Sequence, residues 1–313
     1  MKINAALVST LIDFAASRGM NATLLQAMVK DKNIDYCALE AKIDLEDYLA
    51  ILTKISTTLA DARLGISFGL YLNLSALGLV HTISLQSSSI EQALLILESY
   101  LQNNFPLLTI KKNILGSQIQ LQLDTKIKTP VLRKNILDTS FCLIFRELKL
   151  MMGATPLGLA LPYADLLSYE LHLGHPIQSS HSHCFSLPQN SINQPINARN
   201  LQQIECLLPK YLQMIQTPDH AQSFAANTRR MILHLCAPEL PSLKMVCRQF
   251  SMSSRTFQRK LNQEGSSFRE ISLEIKKELS NFLQAGNKMK TKDIAYILGY
   301  SESSAYLNAK KNW

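Results

Sequence analysis

The side chains best suited to a chemical task lie within residues 251–262, where long polar residues recur at helical spacing. The four that would share one face of a helix are Arg255, Gln258, Arg259 and Asn262. Side chains of these types can make paired hydrogen bonds to the edges of guanine or adenine in the major groove of DNA. Phe257 and Leu261 lie one turn apart on the opposite face and are expected to be buried. The pattern predicts an amphipathic helix whose polar face can contact DNA.

A shorter helix is predicted just before this polar helix, and a tight turn joins the two. Apolar residues recur in it at positions i, i+3, i+4 and i+7, namely Leu243, Val246, Cys247 and Phe250. Ser242 and Ser253 precede the two helices, where a serine hydroxyl can accept hydrogen bonds from the first free amides. Two short helices around such a turn have helix-turn-helix geometry, in which the second helix enters the major groove.

A long helix and then a second pair of short helices follow. Gly265 is expected to end the polar helix, and residues 267–270 form a capping box. The apolar stripe of the long helix is Phe268, Ile271, Ile275, Leu279 and Phe282. One helix-turn-helix pattern is a weak signal, because any two packed helices can imitate it. Two patterns at a fixed separation favour a DNA-binding segment, since they can serve one face of a duplex.

The second pair is predicted at residues 292–298 and from Ser301 onward. Thr291 is expected to cap the first of these helices, and Gly299 to supply the left-handed residue that ends it. The residues expected to face inward in the last helix are Tyr306, Ala309 and Trp313. Those expected to face outward are Ser304, Leu307, Asn308 and Lys311.

Three stretches of this segment resemble the AraC/XylS family of bacterial transcription regulators: QRKL at 258–261, EGSSF at 264–268 and DIAYILGYSE at 293–302. The resemblance implies a seven-helix DNA-binding domain with two recognition helices in successive segments of the major groove. It also implies which residues read the bases. In the first pair these would be Arg255, Gln258 and Arg259, and in the second pair Ser303, Ser304, Leu307 and Asn308.

The last helix departs from the family pattern. Asn308 stands where the family usually has arginine, and Lys310 stands where it usually has a buried phenylalanine. The sequence ends at Trp313, before the final helix of the family. Lys310 could lay its stem along Trp313 and offer its charge to a phosphate, or it could be a packing defect. The second interpretation leaves an alternative function: a regulator with impaired DNA binding that acts by pairing with a full-length relative.

Positive charge is concentrated in the same part of the chain. The 313 residues have 32 Lys and Arg against 24 Asp and Glu, a net charge of +8. Residues 221–313 hold 15 of these basic residues and 7 of the acidic ones, so the whole surplus lies there. This location favours contact with DNA phosphates. Lys276 and Lys277 are expected to make such backbone contacts.

Composition bounds the remaining possibilities. The chain is long enough for two domains, and its 47% hydrophobic and 18% charged residues are typical of a soluble globular protein. Asp13 and Arg18 interrupt the apolar start, so neither a signal peptide nor a membrane span is expected, and the predicted location is cytoplasmic. Six cysteines without CxxC spacing are expected to be reduced core residues.

The N-terminal part combines helical periods with strand alternation. Helices are predicted at residues 7–18, 21–29, 44–59, 90–103, 131–152 and 164–173. Strands are predicted at 108–111 and 117–123, which form a hairpin, and at 157–161 and 183–187. The pattern predicts an α+β domain with a small antiparallel sheet covered by helices on one face, followed by the all-α segment with two helix-turn-helix units.

Four stretches of this N-terminal part are similar to the arabinose-binding-type ligand domain of one AraC subfamily. They are ARLGISFG at 62–69, LGLV at 77–80, residues 87–94 and LHLGHPI at 171–177. The similarity implies a domain that senses a small effector and associates with a second copy. These motifs look structural, so the similarity assigns no effector-binding residue.

Histidines near the end of this part admit two interpretations. His181 and His183 would share one face of a strand, as metal ligands could, but a surface loop and strand end are the more common explanation. We therefore expect no metal site and no cofactor. No nucleophile elbow, phosphate loop or HExxH motif is present, so no residue supports an enzyme. A small-molecule-binding protein with a vestigial DNA module is the other alternative.

The predicted division is an effector-sensing and dimerisation domain at 1–215, a linker at 216–220 and a DNA-binding domain at 221–313. The linker contains Pro218 in a short polar stretch. The expected function is sequence-specific transcription regulation in response to a small molecule. The expected partners are double-stranded promoter DNA, a small-molecule effector and a second copy of the chain, with RNA polymerase as a further candidate and no membrane.

Overall fold

The computed structural model describes residues 1–36, 38, 41–72, 78–79, 81–83, 86–216, 223–236, 239–285 and 289–313. The chain divides into two compact units, one built from Met1–Leu72 and Ile83–Ile196 and one that contains Asn197–Trp313. The first unit is mixed α/β and the second is all-helical, as predicted. Cys37, Leu77, Val80 and residues 217–220 of the predicted linker lie outside the described residues.

The first unit contains helices and seven strands within its described residues. The helices are α1 (Ala5–Ser17), α2 (Ala22–Gln26), α3 (Leu45–Leu59), α4 (Leu64–Tyr71), α5 (Ile90–Asn104), α6 (Pro130–Met152) and α7 (Leu166–Leu173). The strands are β1 (Lys2–Asn4), β2 (Lys42–Asp44), β3 (Leu108–Leu115), β4 (Gln118–Thr125), β5 (Gly158–Leu161), β6 (Gln178–Ser179) and β7 (His183–Pro188). Strands β1, β2 and β6 were not predicted, because each is too short to show a period, and helix α4 was not predicted, because all of its residues are buried and no polar face alternates with an apolar one.

The main sheet has the strand order β3-β4-β7-β5-β6. The predicted hairpin is confirmed: β3 pairs antiparallel with β4, and Gly116 at the turn has a positive φ of 58°. The expectation of an antiparallel sheet is wrong for one pair of strands, since β5 and β6 pair in parallel. Helix α7 lies between these two strands in sequence and supplies the crossover that a parallel pair needs. Helix α6 covers the sheet, where Phe141 stacks on Phe185 of β7 with ring centroids 4.5 Å apart.

Two glycines allow α4 to pack closely on α6. A Cβ atom at Gly65 would lie 2.6 Å from the carbonyl oxygen of Asn135, and one at Gly69 would lie 2.5 Å from the Cβ of Cys142. Because the glycines are four residues apart, they face α6 together. The ARLGISFG motif therefore has a packing role, and its helix is buried on all sides.

A buried carboxylate joins α6 to the sheet. Asp138 is 0% exposed. Its two oxygens accept hydrogen bonds from Lys134 Nζ and Tyr163 Oη, both at 2.7 Å, and one lies 2.9 Å from His183 Nε2. The predicted surface position of His183 is wrong: the side chain is 3% exposed, while His181 precedes the strand and is exposed. A metal pair on one strand is therefore not formed.

A second buried carboxylate on α6 has no such partners. Glu147 is 0% exposed, and neither of its oxygens has a hydrogen-bond partner among the described residues. Burial in an apolar environment favours the neutral acid and raises the pKa of Glu147 well above its ordinary value of 4.5. The folded protein therefore holds a proton that the unfolded chain releases.

This difference predicts a pH dependence of stability that the isosteric variant Glu147→Gln lacks. Between pH 4.5 and the raised pKa of Glu147 in the folded state, the unfolded chain loses the proton and the folded chain keeps it, so stability falls as pH rises, by up to about 1.4 kcal/mol per pH unit. We expect Glu147→Gln to be increasingly more stable than the parent protein over this pH range. Urea unfolding followed by far-ultraviolet circular dichroism at a series of pH values measures the difference. Glu98→Gln on α5 is the control, and parallel curves for parent and Glu147→Gln would contradict the prediction.

The second unit contains α8 (Ala198–Gln216), α9 (Phe224–Leu235), α10 (Leu243–Gln249), α11 (Ser254–Gln263), α12 (Phe268–Ala285), α13 (Thr291–Ile297) and α14 (Ser303–Lys311). Helix α8 packs against α9, α12 and α13 and carries the buried residues Ile204, Leu207, Leu208, Tyr211 and Met214. The compact units thus divide before α8, whereas the predicted linker follows it, and Gln216 of that linker is the last residue of α8. No helix in the described ranges is long and apolar enough to cross a membrane.

Candidate nucleic-acid interface

Three phenylalanine rings form the core beneath the first helix pair. The ring centroids of Phe224, Phe250 and Phe257 are 5.1–5.5 Å apart. Phe257 and Leu261 of α11 are both fully buried, as the spacing predicted. Aromatic rings in tilted contact contribute stability beyond the area that they bury. Helix α11 is therefore held in one orientation by its apolar face.

The turn between α10 and α11 follows the predicted pattern. Ser242 Oγ accepts from the amide of Met245, and Ser253 Oγ accepts from the amide of Thr256, so both predicted caps are confirmed. Ser251 adopts a positive φ of 51°, which reverses the chain within a few residues. These local bonds fix the point at which α11 begins.

The exposed face of α11 brings together the residues predicted to read DNA. Arg255, Gln258, Arg259 and Asn262 are all exposed, and together with Gln263 they line one open groove. No hydrogen bond or ion pair joins the side chains of Arg255, Gln258 or Arg259 to another described residue. Their donors are therefore available to a ligand. Gln263 was missed by the sequence analysis, although it adjoins Asn262 at the end of the helix.

Glu264 connects this helix pair to α9. Its two carboxylate oxygens accept from the backbone amides of Phe224 and Ala225, each at 2.8 Å. A carboxylate at the first turn of a helix satisfies free amides and interacts favourably with the helix dipole. Gly265 follows with a positive φ of 70°, as predicted, and ends α11. This arrangement explains the first two residues of the EGSSF motif.

The last helix is anchored by Tyr306. This residue is 0% exposed, and its hydroxyl oxygen lies 2.7 Å from Ser280 Oγ and accepts from Gln284 Nε2 at 2.8 Å. Trp313 packs edge-on against the Tyr306 ring, with centroids 5.9 Å apart. Tyr306 thus joins α14 to the long helix α12, as the predicted inward position requires. Ala309 and Trp313 are half-buried.

Lys310 is accommodated at the surface. The residue is exposed, and its Nζ donates a hydrogen bond to Gln284 Oε1 at 3.0 Å. Because Gln284 also donates to Tyr306, Lys310 extends the polar network over the core and leaves no charge buried. The structure therefore contains no packing defect at the lysine itself.

The outer face of α14 differs from that of α11. Ser304, Leu307, Asn308 and Lys311 are exposed, as predicted. Ser303 is half-buried, and Ser304 Oγ donates to Glu302 Oε2 at 3.0 Å. Leu307 is 45% exposed and could contact the methyl group of thymine. This face offers fewer free polar groups than α11.

Two boundary predictions and one burial prediction in this unit are wrong. Thr291 is the first residue of α13 and Lys290 is its N-cap, without a side-chain capping bond. The last helix begins at Ser303, two residues after Ser301, because Glu302 remains extended. Phe282 is 39% exposed and lies outside the buried stripe of α12. Gly299, with a φ of 82°, has the predicted left-handed conformation.

Helix α12 spans 18 residues between the two helix pairs, a length of about 27 Å at 1.5 Å per residue.

Several basic residues of the unit make internal contacts. Lys276 Nζ lies 5.3 Å from the ring centroid of Tyr300, and Arg229 donates to Glu278 at 2.6 Å. Lys277 is half-buried and makes no such contact with a described residue.

Comparison with known proteins finds relatives at low identity. The chain is 24% identical over 152 residues to the HTH-type transcriptional regulator VqsM of Pseudomonas aeruginosa. The aligned stretch covers 48% of this chain and 47% of VqsM. It is distantly similar to bacterial transcription regulators. A second relative is the ornithine utilization regulator of the same organism, 21% identical over 131 residues, 42% of this chain and 38% of that protein. The chain thus spans less than half the length of either relative.

A solved structure gives a looser likeness. The transcriptional regulator CdpR from Pseudomonas aeruginosa aligns with 85% of this chain and 88% of its own, at 20% identity and a TM-score of 0.39. None of the protein-family models matches the chain. The relatives found are transcription regulators rather than enzymes.

One residue near the interface was missed by the sequence analysis. Gln203 of α8 is 4% exposed, and its Nε2 donates to the carbonyl oxygens of Tyr296 and Ile297, both at 3.4 Å. These are among the last carbonyls of α13, which have no partner inside their own helix. The apolar spacing of residues 204–214 could have revealed α8, but Pro209 within it argues against a helix.

Proposed function

We propose that this chain is a sequence-specific DNA-binding transcription regulator of the AraC/XylS type. The observation that carries the proposal is the face of α11, where Arg255, Gln258 and Arg259 are exposed and make no side-chain hydrogen bond or ion pair with the residues that the structure describes. The buried Phe257 and the Ser253 cap hold these donors in a fixed pose, as base reading requires. The net charge of +8, all of it in residues 221–313, supports approach to a polyanion.

Substitution of Arg259 by alanine tests this function. We expect the variant to lose about 1–3 kcal/mol of binding free energy on a duplex from the region upstream of its own gene, because an arginine that reads guanine contributes this much discrimination. Fluorescence anisotropy at several salt concentrations, with a scrambled duplex of equal length beside it, measures the loss.

Lys277→Ala is the matched comparison, since the loss of a phosphate contact weakens binding to any sequence and lowers the salt slope. Equal losses on cognate and scrambled duplexes for Arg259→Ala would remove that residue from the base readers. Equal affinity of the parent protein for both duplexes, with and without cell extract as an effector source, would contradict the proposed function.

The division of labour is part of the proposal. Residues 1–215 would sense a small-molecule effector and mediate dimer formation, and residues 221–313 would bind promoter DNA. Residues 216–220 would link these two domains. Effector binding would change how the DNA-binding domains of a dimer engage their half-sites, and RNA polymerase would be the further partner. Sedimentation in the buffer of the DNA titration tests the dimer: a monomer that bound with undiminished affinity would exclude it.

A further inference from the structure

A cavity of about 150 Å³ lies within the helical unit, beside the turn of the second helix pair. Its apolar wall is formed by Leu207 of α8, Leu279 of α12 and Ile297 of α13. These three residues are buried, so the wall belongs to the core of the unit. Tyr211 of α8 also lines the cavity, and burial raises the pKa of its hydroxyl well above the ordinary value, which keeps that group neutral.

Two opposite charges line this cavity without forming an ion pair with each other. Glu239 and Lys276 both line it, yet no ion pair joins them to each other or to another residue in the described part of the chain. Lys276 Nζ lies 5.3 Å from the ring centroid of Tyr300. Glu239 Oε1 lies 3.7 Å from the position that a Cβ at Gly299 would occupy, an ordinary van der Waals distance, so the carboxylate lies beside the turn.

We propose that this cavity binds a small zwitterion of the α-amino acid type. The carboxylate of Glu239 would receive its ammonium group, Lys276 would pair with its carboxylate, and its side chain would lie against the apolar wall. A cavity of this volume accommodates a molecule the size of benzene, about six non-hydrogen atoms. Alanine has this size, and serine and valine are slightly larger.

The position of the cavity gives such a ligand a regulatory consequence, which rests on the proposed DNA-binding function. Its lining residues come from α8, from α12 and from Leu298 and Gly299 at the turn that precedes the last helix. Gln203 already ties α8 to the end of α13 at the same place. A ligand that contacts all these elements would hold the second helix pair in one pose and so favour DNA binding.

Binding without DNA tests the proposal. We would measure thermal unfolding and isothermal titration of the full chain with L-alanine, L-serine and L-valine, beside acetate and methylammonium as single-charge controls. At least one amino acid is expected to raise Tm by about 4 °C or more at concentrations far above its Kd, and the single-charge compounds to leave Tm unchanged. No shift with any of the three amino acids, or equal shifts with acetate or methylammonium, would overturn the proposal.

Variants locate the site. Glu239→Gln and Lys276→Met are each expected to weaken amino-acid binding by at least about tenfold, because each leaves one ligand charge unpaired. Lys244→Met, at an exposed lysine of α10 that does not line the cavity, should bind the amino acids like the parent protein. Retained binding in both cavity variants would overturn the assignment. These titrations contain no DNA. A failure to bind amino acids would therefore not contradict the proposed DNA-binding function, and a failure to bind DNA would not change the result of the titrations.

Discussion

Replacement of Phe257 by alanine is expected to lower the free energy of unfolding of the helical unit by about 3–5 kcal/mol. Phe257 is 0% exposed and contacts the rings of both Phe224 and Phe250, at 5.1 and 5.5 Å between centroids. Truncation removes the whole ring and leaves a cavity between α9 and α11. The loss is large compared with the total stability of a typical domain.

The same substitution should abolish sequence-specific DNA binding, although Phe257 faces away from the proposed interface. The exposed arginines of α11 depend on this ring for their pose, since Leu261 is the only other fully buried residue of that helix within the described chain. Trp313 is the sole tryptophan and packs on Tyr306, so its fluorescence during urea unfolding reports on the helical unit. A decrease in the midpoint at an unchanged m-value would measure the lost stability.

Phe282→Ala is the matched control for this variant. Phe282 is the same residue type in the same unit but is 39% exposed. We therefore expect Phe282→Ala to lower the free energy of unfolding by well under half as much as Phe257→Ala. Similar losses of unfolding free energy for Phe282→Ala and Phe257→Ala would show that the aromatic cluster beneath α11 does not stabilise the unit more than an exposed phenylalanine does.

Asp138→Ala is expected to destabilise the mixed α/β unit by about 3–5 kcal/mol, the cost of removing one partner from a buried charged network. The carboxylate is fully buried and accepts from Lys134 and Tyr163 while it contacts His183. Without it, these donors lose their common acceptor in a site that water cannot easily fill. Burial and the nearby carboxylate raise the pKa of Tyr163, so this hydroxyl remains a donor that needs an acceptor.

The two units allow an internal check on this prediction. The loss should appear in the far-ultraviolet circular dichroism transition of the α/β unit and leave the Trp313 fluorescence transition unchanged. Asp124→Asn is the control: its carboxylate, 41% exposed, forms a surface ion pair with Arg133, and such pairs contribute about 1 kcal/mol or less. A loss for Asp138→Ala no larger than that of Asp124→Asn would contradict the role of the buried network.

Local pattern was sufficient to predict the residues that the proposed function depends on. The faces of α11 and α14, the Ser242 and Ser253 caps, the left-handed Gly265 and Gly299 and the β3–β4 hairpin all follow from spacing over a few residues. Side chains at helical spacing share a face whatever surrounds the helix, so burial and exposure could be inferred together. The assignment of effector, dimer and linker to particular segments stays a prediction.

Tertiary packing decided what spacing could not. Helix α8 joins the helical unit because α9, α12 and α13 cover its apolar stripe, although Pro209 makes its sequence a poor helix. Lys310, which in the family pattern replaces a buried residue, is placed at the surface by its bond to Gln284. His183 is buried because Asp138, 45 residues earlier, lies beside it.

The sequence by itself determined which side chains of α11 are exposed and which residues cap α10 and α11, because those properties depend on neighbours within one or two turns. Only the tertiary structure decided which helices share a core, which charges are paired, and where two charges remain unpaired beside a cavity. These outcomes depend on contacts between residues far apart in the chain. The free energies of burial and pairing of such residues cannot be inferred from a local sequence period.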